Sequence, residues 1–70
     1  MKTIAVFFGG VSVEHDISVI TGVLTSNSLD KAYNVVPVYV DKTGEWWTGN
    51  CLFDPDAFNN LNHKKLTRVT

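Results

Sequence analysis

Glu14 and His15 stand side by side behind a glycine pair in the segment Phe7-Phe8-Gly9-Gly10-Val11-Ser12-Val13-Glu14-His15-Asp16-Ile17-Ser18. A fixed carboxylate pairs with an ammonium group through a charge-assisted hydrogen bond, among the stronger polar contacts a protein makes. Glu14 is thus suited to hold the α-ammonium of an amino acid. The plainer alternative is a carboxylate favoured by the dipole of the following helix. An imidazole at this place can move a proton at neutral pH, but His15 is expected to order Glu14 by a hydrogen bond rather than to react. Gly9 and Gly10 carry no Cβ, so the backbone there can pass close to a ligand. Their N–H groups would meet a substrate carboxylate, or the pair serves turn geometry alone. Ile17 shares a helix face with Glu14 and would touch an apolar group of the ligand or pack on the sheet. Ser18, four residues past Glu14, is in reach of it, and Ser12 would brace the turn.

These residues need a strand before them and a helix after. Thr3 to Phe8 is apolar and β-rich, and is expected to be a central parallel strand covered on both faces. Asp16, or alternatively Glu14, would cap a helix ending between Ser26 and Lys31. Its apolar stripe is Ile17, Ile20, Val23 or Leu24, and Leu29, widened by Val19. Gly22 inside that helix suggests close packing on the sheet, since it otherwise costs up to about 1 kcal/mol against alanine. Val35 to Val40 forms a second strand, in which Pro37 must avoid a ladder donor position. Asp41-Lys42-Thr43-Gly44 turns into a return strand, Glu45 to Thr48, where Trp46 and Trp47 face opposite sides. Asp54 caps a helical start with Pro55 in its first position, and Leu66 to Thr70 begins another strand.

The composition excludes several classes. A net charge of −1 gives no reason to expect nucleic acid or an anionic membrane. Lys64, Lys65 and Arg68 read as a solvated edge. The lone Cys51 rules out an internal disulfide framework, and a structural thiol is favoured over a nucleophile. No apolar run approaches the ~20 residues that span a bilayer, and a cytoplasmic location is expected. Gly9-Gly10-Val11-Ser12 does not extend to a dinucleotide fingerprint, and no phosphate-loop lysine follows. His63 receives no role.

The residues Gly9, Gly10, Ser12, Glu14, His15 and Ser18 after a first strand resemble the opening of the D-alanine–D-alanine ligase family. The likeness continues through Tyr33-Asn34-Val35-Val36-Pro37-Val38-Tyr39-Val40-Asp41 and Lys42-Thr43-Gly44-Glu45-Trp46-Trp47. It implies an α/β fold: an incomplete Rossmann-like (pre-ATP-grasp) domain with a βαβ unit plus a short hairpin strand. Residues 1–70 would be an N-terminal substrate-binding domain, truncated, with the ATP-grasp domains absent. The resemblance gives Glu14 the amino group of the first D-alanine and places Gly9, Gly10 and Ile17 around the substrate. It implies ATP and magnesium in the parent protein, held outside these residues, and an inactive isolated chain. An open sheet edge would favour a homodimer or strand-exchanged oligomer. Two other classes remain open: a standalone binding module or gene remnant, and a flavodoxin-like nucleotide module, which the missing phosphate loop disfavours.

Overall fold

The structure, a computed structural model, describes residues 1–11 and 15–69. Ser12, Val13, Glu14 and Thr70 lie outside the described residues.

The apolar run opens as β1 (Thr3–Gly9), followed by α1 (His15–Leu29), β2 (Asn34–Val40), β3 (Trp46–Thr48) and β4 (Thr67–Val69). Short 3₁₀ turns at Asn50–Phe53, Pro55–Asn59 and His63–Lys65 connect β3 to β4. The sheet order is β1-β2-β3-β4. β1 and β2 are parallel, from Thr3 opposite Asn34 to Gly9 opposite Val40, and form a βαβ unit with α1. β3 and β4 return antiparallel. The architecture is the α/β one expected.

The position of β1 differs from the expectation. Among the described residues it is an edge strand, not a central one. Ile4, Val6 and Phe8 are covered to varying degrees, whereas Thr3, Ala5 and Phe7 are exposed. Phe7 meets Trp46 in an edge-to-face contact, 5.0 Å between ring centroids. A continuous apolar run encodes strand propensity but not the number of its neighbours.

The helix stripe is corrected in part: Val19 and Val23 are buried as expected, with Val23 rather than Leu24 facing the core. Ile17, Ile20 and Leu24 are exposed, each above 60 %. The buried positions are His15, Val19, Gly22, Val23 and Ser26. Their spacing is equally helical, but past His15 the residues are small. The reason is close approach: a Cβ on Gly22 would lie 2.3 Å from Cβ and Cγ of Phe8. Large aliphatic side chains on this face would hold the helix away from the sheet. The core that results gathers Phe8, Val19, Val23, Tyr39, Leu52 and Leu66 on one face of the sheet. Half-buried Cys51 and Trp47 pack against it, while Trp46 is on the outer side.

Local chemistry follows the sequence closely elsewhere. Pro37 turns its carbonyl to the Thr48 hydroxyl at 2.8 Å, where the pairing of β3 ends; its missing N–H interrupts no ladder bond there. Gly44 turns at φ +90°. The Asp54 carboxylate caps the Pro55 turn by accepting from the Asp56 N–H at 2.9 Å. Arg68 pairs with Glu45 at 3.2 Å, an exposed contact of small value.

The Asp41 turn carries a titration. Burial pushes its carboxyl up, but hydrogen bonds from the Thr43 hydroxyl, the Trp47 indole and the Glu45 and Thr43 N–H groups outweigh this and lower it to about 2. A depressed folded-state value stabilises the fold above the ordinary aspartate range. That contribution is lost as pH falls through about 4 towards about 2. Asp41→Asn should therefore lower the urea midpoint at pH 7, and the gap to wild type should close between those two pH values.

Candidate functional site

The C-terminal end of β1 and the N-terminal end of α1 meet at the glycine pair. In open α/β sheets this is where ligands enter. Gly9 and Gly10 adopt φ of +92° and +107°, a region L side chains rarely occupy. A Cβ on Gly9 would lie 2.3 Å from the Val40 carbonyl oxygen, whereas one on Gly10 would meet nothing within 4 Å. The first glycine is thus required by contact with β2, and the second only by its dihedral.

The N–H groups of the pair are committed. Gly9 N–H donates to the Ser18 hydroxyl at 3.0 Å, and Gly10 N–H donates to the Val40 carbonyl at 2.8 Å. A substrate carboxylate would have to compete with both. In this structure both amides therefore serve the turn. Ser18 is accordingly the brace of Gly9. Its hydroxyl accepts from that amide.

His15 is buried, only 5 % exposed. Its Nδ1 lies 2.6 Å from the Gly10 carbonyl oxygen, and its Nε2 lies 2.9 Å from the Tyr39 hydroxyl. A carbonyl only accepts, so Nδ1 carries the hydrogen. In the neutral ring Nε2 then accepts from Tyr39 O–H. Both ring nitrogens thus have partners on the glycine turn and β2. The expected bond to Glu14, and the roles of Glu14 and Ser12 themselves, fall outside the described residues. Tyr39 also packs edge-on against the imidazole, with centroids 5.4 Å apart and planes at 81°. Burial, with Asp41 and Asp16 adding to it, pushes the Tyr39 hydroxyl up, so it stays a hydrogen donor at neutral pH.

Sequence reasoning passed over Tyr39. The signal was available: a tyrosine in an apolar strand needs a partner for its hydroxyl, and Tyr39 lies opposite Phe8, just before the glycine pair.

A cleft of about 490 Å³ opens beside β1, on its unpaired side. Gly9, Ile17, Ser18 and Gly22 line it, so three of the expected site residues share one wall. Ile17, 67 % exposed, presents its side chain here instead of packing on the sheet. A separate cavity of about 400 Å³ lies across α1, lined by His15, Asp16, Tyr39, Lys42 and Phe58 among others.

The family described as D-ala D-ala ligase N-terminus matches residues 3–69. The chain belongs to this family. A D-alanine–D-alanine ligase of Thermosipho melanesiensis is 48 % identical over 72 aligned residues, which cover 99 % of this chain and 20 % of the relative. A D-alanine–D-alanine ligase of Chlorobium limicola is 47 % identical over 69 % of the chain and 14 % of its own length. The chain thus spans about a fifth or less of these relatives. Among solved structures, the VanG D-Ala:D-Ser ligase of Enterococcus faecalis superposes with a TM-score of 0.75 over 99 % of this chain and 21 % of that one, at 24 % identity. The D-alanine–D-alanine ligase of Helicobacter pylori gives 0.76 over 100 % and 21 %, at 21 % identity. These two likenesses establish the fold.

Proposed function

We propose that the chain is the substrate-facing N-terminal part of an ATP-dependent D-alanine–D-alanine ligase of peptidoglycan precursor synthesis, in which Glu14 anchors the ammonium of the first D-alanine. The observation that supports this most is family membership across residues 3–69. In this reading the carboxylate of Glu14 supplies one fixed anion for the ammonium. Ile17, on the cleft wall beside Gly9 and Ser18, meets the methyl group. The Ser18–Gly9 bond keeps that wall in place.

ATP and magnesium belong to other parts of the enzyme. Two observations favour that reading: the glycine amides are committed, and no group of three or more His, Cys, Asp or Glu side chains gathers among the described residues. These residues therefore bind and orient, and the phosphoryl chemistry is left to the segments the relatives carry beyond this length. A cytoplasmic location follows from the reading; no helix among the described residues is long and apolar enough to cross a membrane. Sequencing the gene past codon 70 tests the proposal. The frame should continue into a Gly-Glu-Asp-Gly segment and an ATP-grasp; a stop codon there would overturn it.

The β1 edge, unpaired among the described residues, and exposed Phe7, Ile17, Ile20 and Leu24 favour a second property of the chain by itself. Unpaired edges accept strands from other chains, so the isolated chain should form a homodimer or strand-exchanged oligomer. Size-exclusion chromatography with light scattering should give a dimer mass; a stable monomer at high concentration would contradict this.

A further inference from the structure

We propose that the cavity across α1 is a second ligand site, built for a free amino acid with an aromatic side chain. It lies apart from the cleft beside β1: among the described residues the two share no wall residue. Its volume of about 400 Å³ falls at the small end of ligand pockets, roughly 300–1,000 Å³. That suits one amino acid rather than a peptide or a nucleotide. The floor is apolar and fixed. Val19, Val23 and Tyr39 belong to the buried core, and Phe58 and Leu61 pack against it. Tyr39 and Phe58 meet edge to face, 5.2 Å between ring centroids, and a third ring can join such a pair in the same geometry. The Tyr39 hydroxyl and both His15 ring nitrogens are already engaged, so the floor offers little to a polar side chain.

The rim carries the recognition. Asp16 comes from the first turn of α1 and Lys42 from the turn after β2, and both line the cavity. Their charges are opposite, yet they form no ion pair with each other: their charged atoms stand more than 4.0 Å apart. Asp41, beside Lys42 in the chain, is committed to the Thr43 hydroxyl and the Trp47 indole. The field of Asp16 reaches the floor, where it helps push the Tyr39 hydroxyl up. An anion and a cation held apart above an apolar floor match the ammonium and carboxylate of a zwitterion whose side chain points down. Each contact would be a charge-assisted one.

The test is a set of titrations of the nitrogen-15-labelled chain, followed by amide shifts. The probes are phenylalanine of either hand, phenethylamine, 3-phenylpropionate and D-alanine. The better-bound hand of phenylalanine should give saturable shifts centred on Val19, Val23, Phe58 and Leu61. Phenethylamine lacks the carboxylate and 3-phenylpropionate lacks the ammonium, so each should bind about two- to fivefold more weakly. Asp16→Asn should erase the gap between phenylalanine and 3-phenylpropionate, and Lys42→Gln the gap between phenylalanine and phenethylamine. Both side chains belong to exposed residues, so the fold should survive either change. D-Alanine has no ring for the floor and should leave the cavity residues unmoved. Absence of cavity shifts with phenylalanine would overturn the proposal, as would shifts confined to the cleft of Gly9, Ile17 and Ser18. Equal affinity for the three aromatic probes would overturn it too, since an apolar hollow without recognition behaves that way. Cavity shifts from D-alanine as large as those from phenylalanine would overturn the aromatic side chain.

Discussion

Gly9→Ala is expected to destabilise the fold by about 2–6 kcal/mol, summing backbone strain and a steric clash. The strain comes from φ +92°, and the clash from a Cβ 2.3 Å from the Val40 carbonyl oxygen. That oxygen belongs to the backbone of β2 and already accepts from Gly10 N–H. It cannot move without breaking the parallel pair at its C-terminal end. A domain of this size has roughly 3.5–10 kcal/mol in total, so the substitution takes a large share. The thermal unfolding midpoint by circular dichroism should fall by about 8 °C or more, at about 4–8 °C per kcal/mol. Gly10→Ala is the internal comparison. Its φ is also positive, +107°, but nothing lies within 4 Å of its Cβ. It should cost roughly 1–3 kcal/mol from strain alone. Equal effects at the two glycines would mean that contact with β2 is not what Gly9 is for.

Gly22→Ala is the second large effect, and its sign separates two arguments. Helix propensity alone favours alanine by up to about 1 kcal/mol. The packing opposes this: the new Cβ would lie 2.3 Å from Cβ and Cγ of Phe8. Those atoms sit next to the β1 backbone and cannot swing aside as the far end of a side chain could. Overpacking of a close contact costs about 1–3 kcal/mol, occasionally more, so the net change is a loss. Denaturant midpoints should therefore fall in Gly22→Ala. A rise would mean that α1 stands farther from β1 than the Phe8 contact requires. The same displacement would widen the cleft that Gly22 and Gly9 both line.

Local signals were the legible part of the fold. The glycine pair, the Asp41–Gly44 turn, the Asp54-Pro55 cap and the end of α1 each depend on residues close in sequence, and each stands where those residues put it. What was missed depends on neighbours far along the chain. Val19 and Val23 of the expected stripe are buried, but Ile17, Ile20 and Leu24 satisfy a helical period as well as Gly22 and Ser26 do and are exposed. The smaller set wins because Phe8 leaves room for nothing larger at Gly22. Thr3 to Phe8 reads as an interior strand, yet β1 has a partner on one side only among the described residues.

The candidate site divides in the same way. The grouping of Gly9, Ile17 and Ser18 on one cleft wall was legible. The uses of the individual polar groups were not, because they depend on β2. Val40 accepts the Gly10 amide, and Tyr39 engages the imidazole. Both partners lie more than twenty residues from the turn they hold, and only the parallel register brings them together.

The most direct measurement of the central claim is a D-alanine titration of nitrogen-15-labelled chain, wild type beside Glu14→Gln. The account predicts concentration-dependent shifts centred on Gly9, Ile17 and Ser18 in the wild type. They should be abolished in Glu14→Gln, because the neutral amide offers no anion to the ammonium. Shifts of equal size in both proteins, or shifts centred elsewhere, would contradict Glu14 as the anchor.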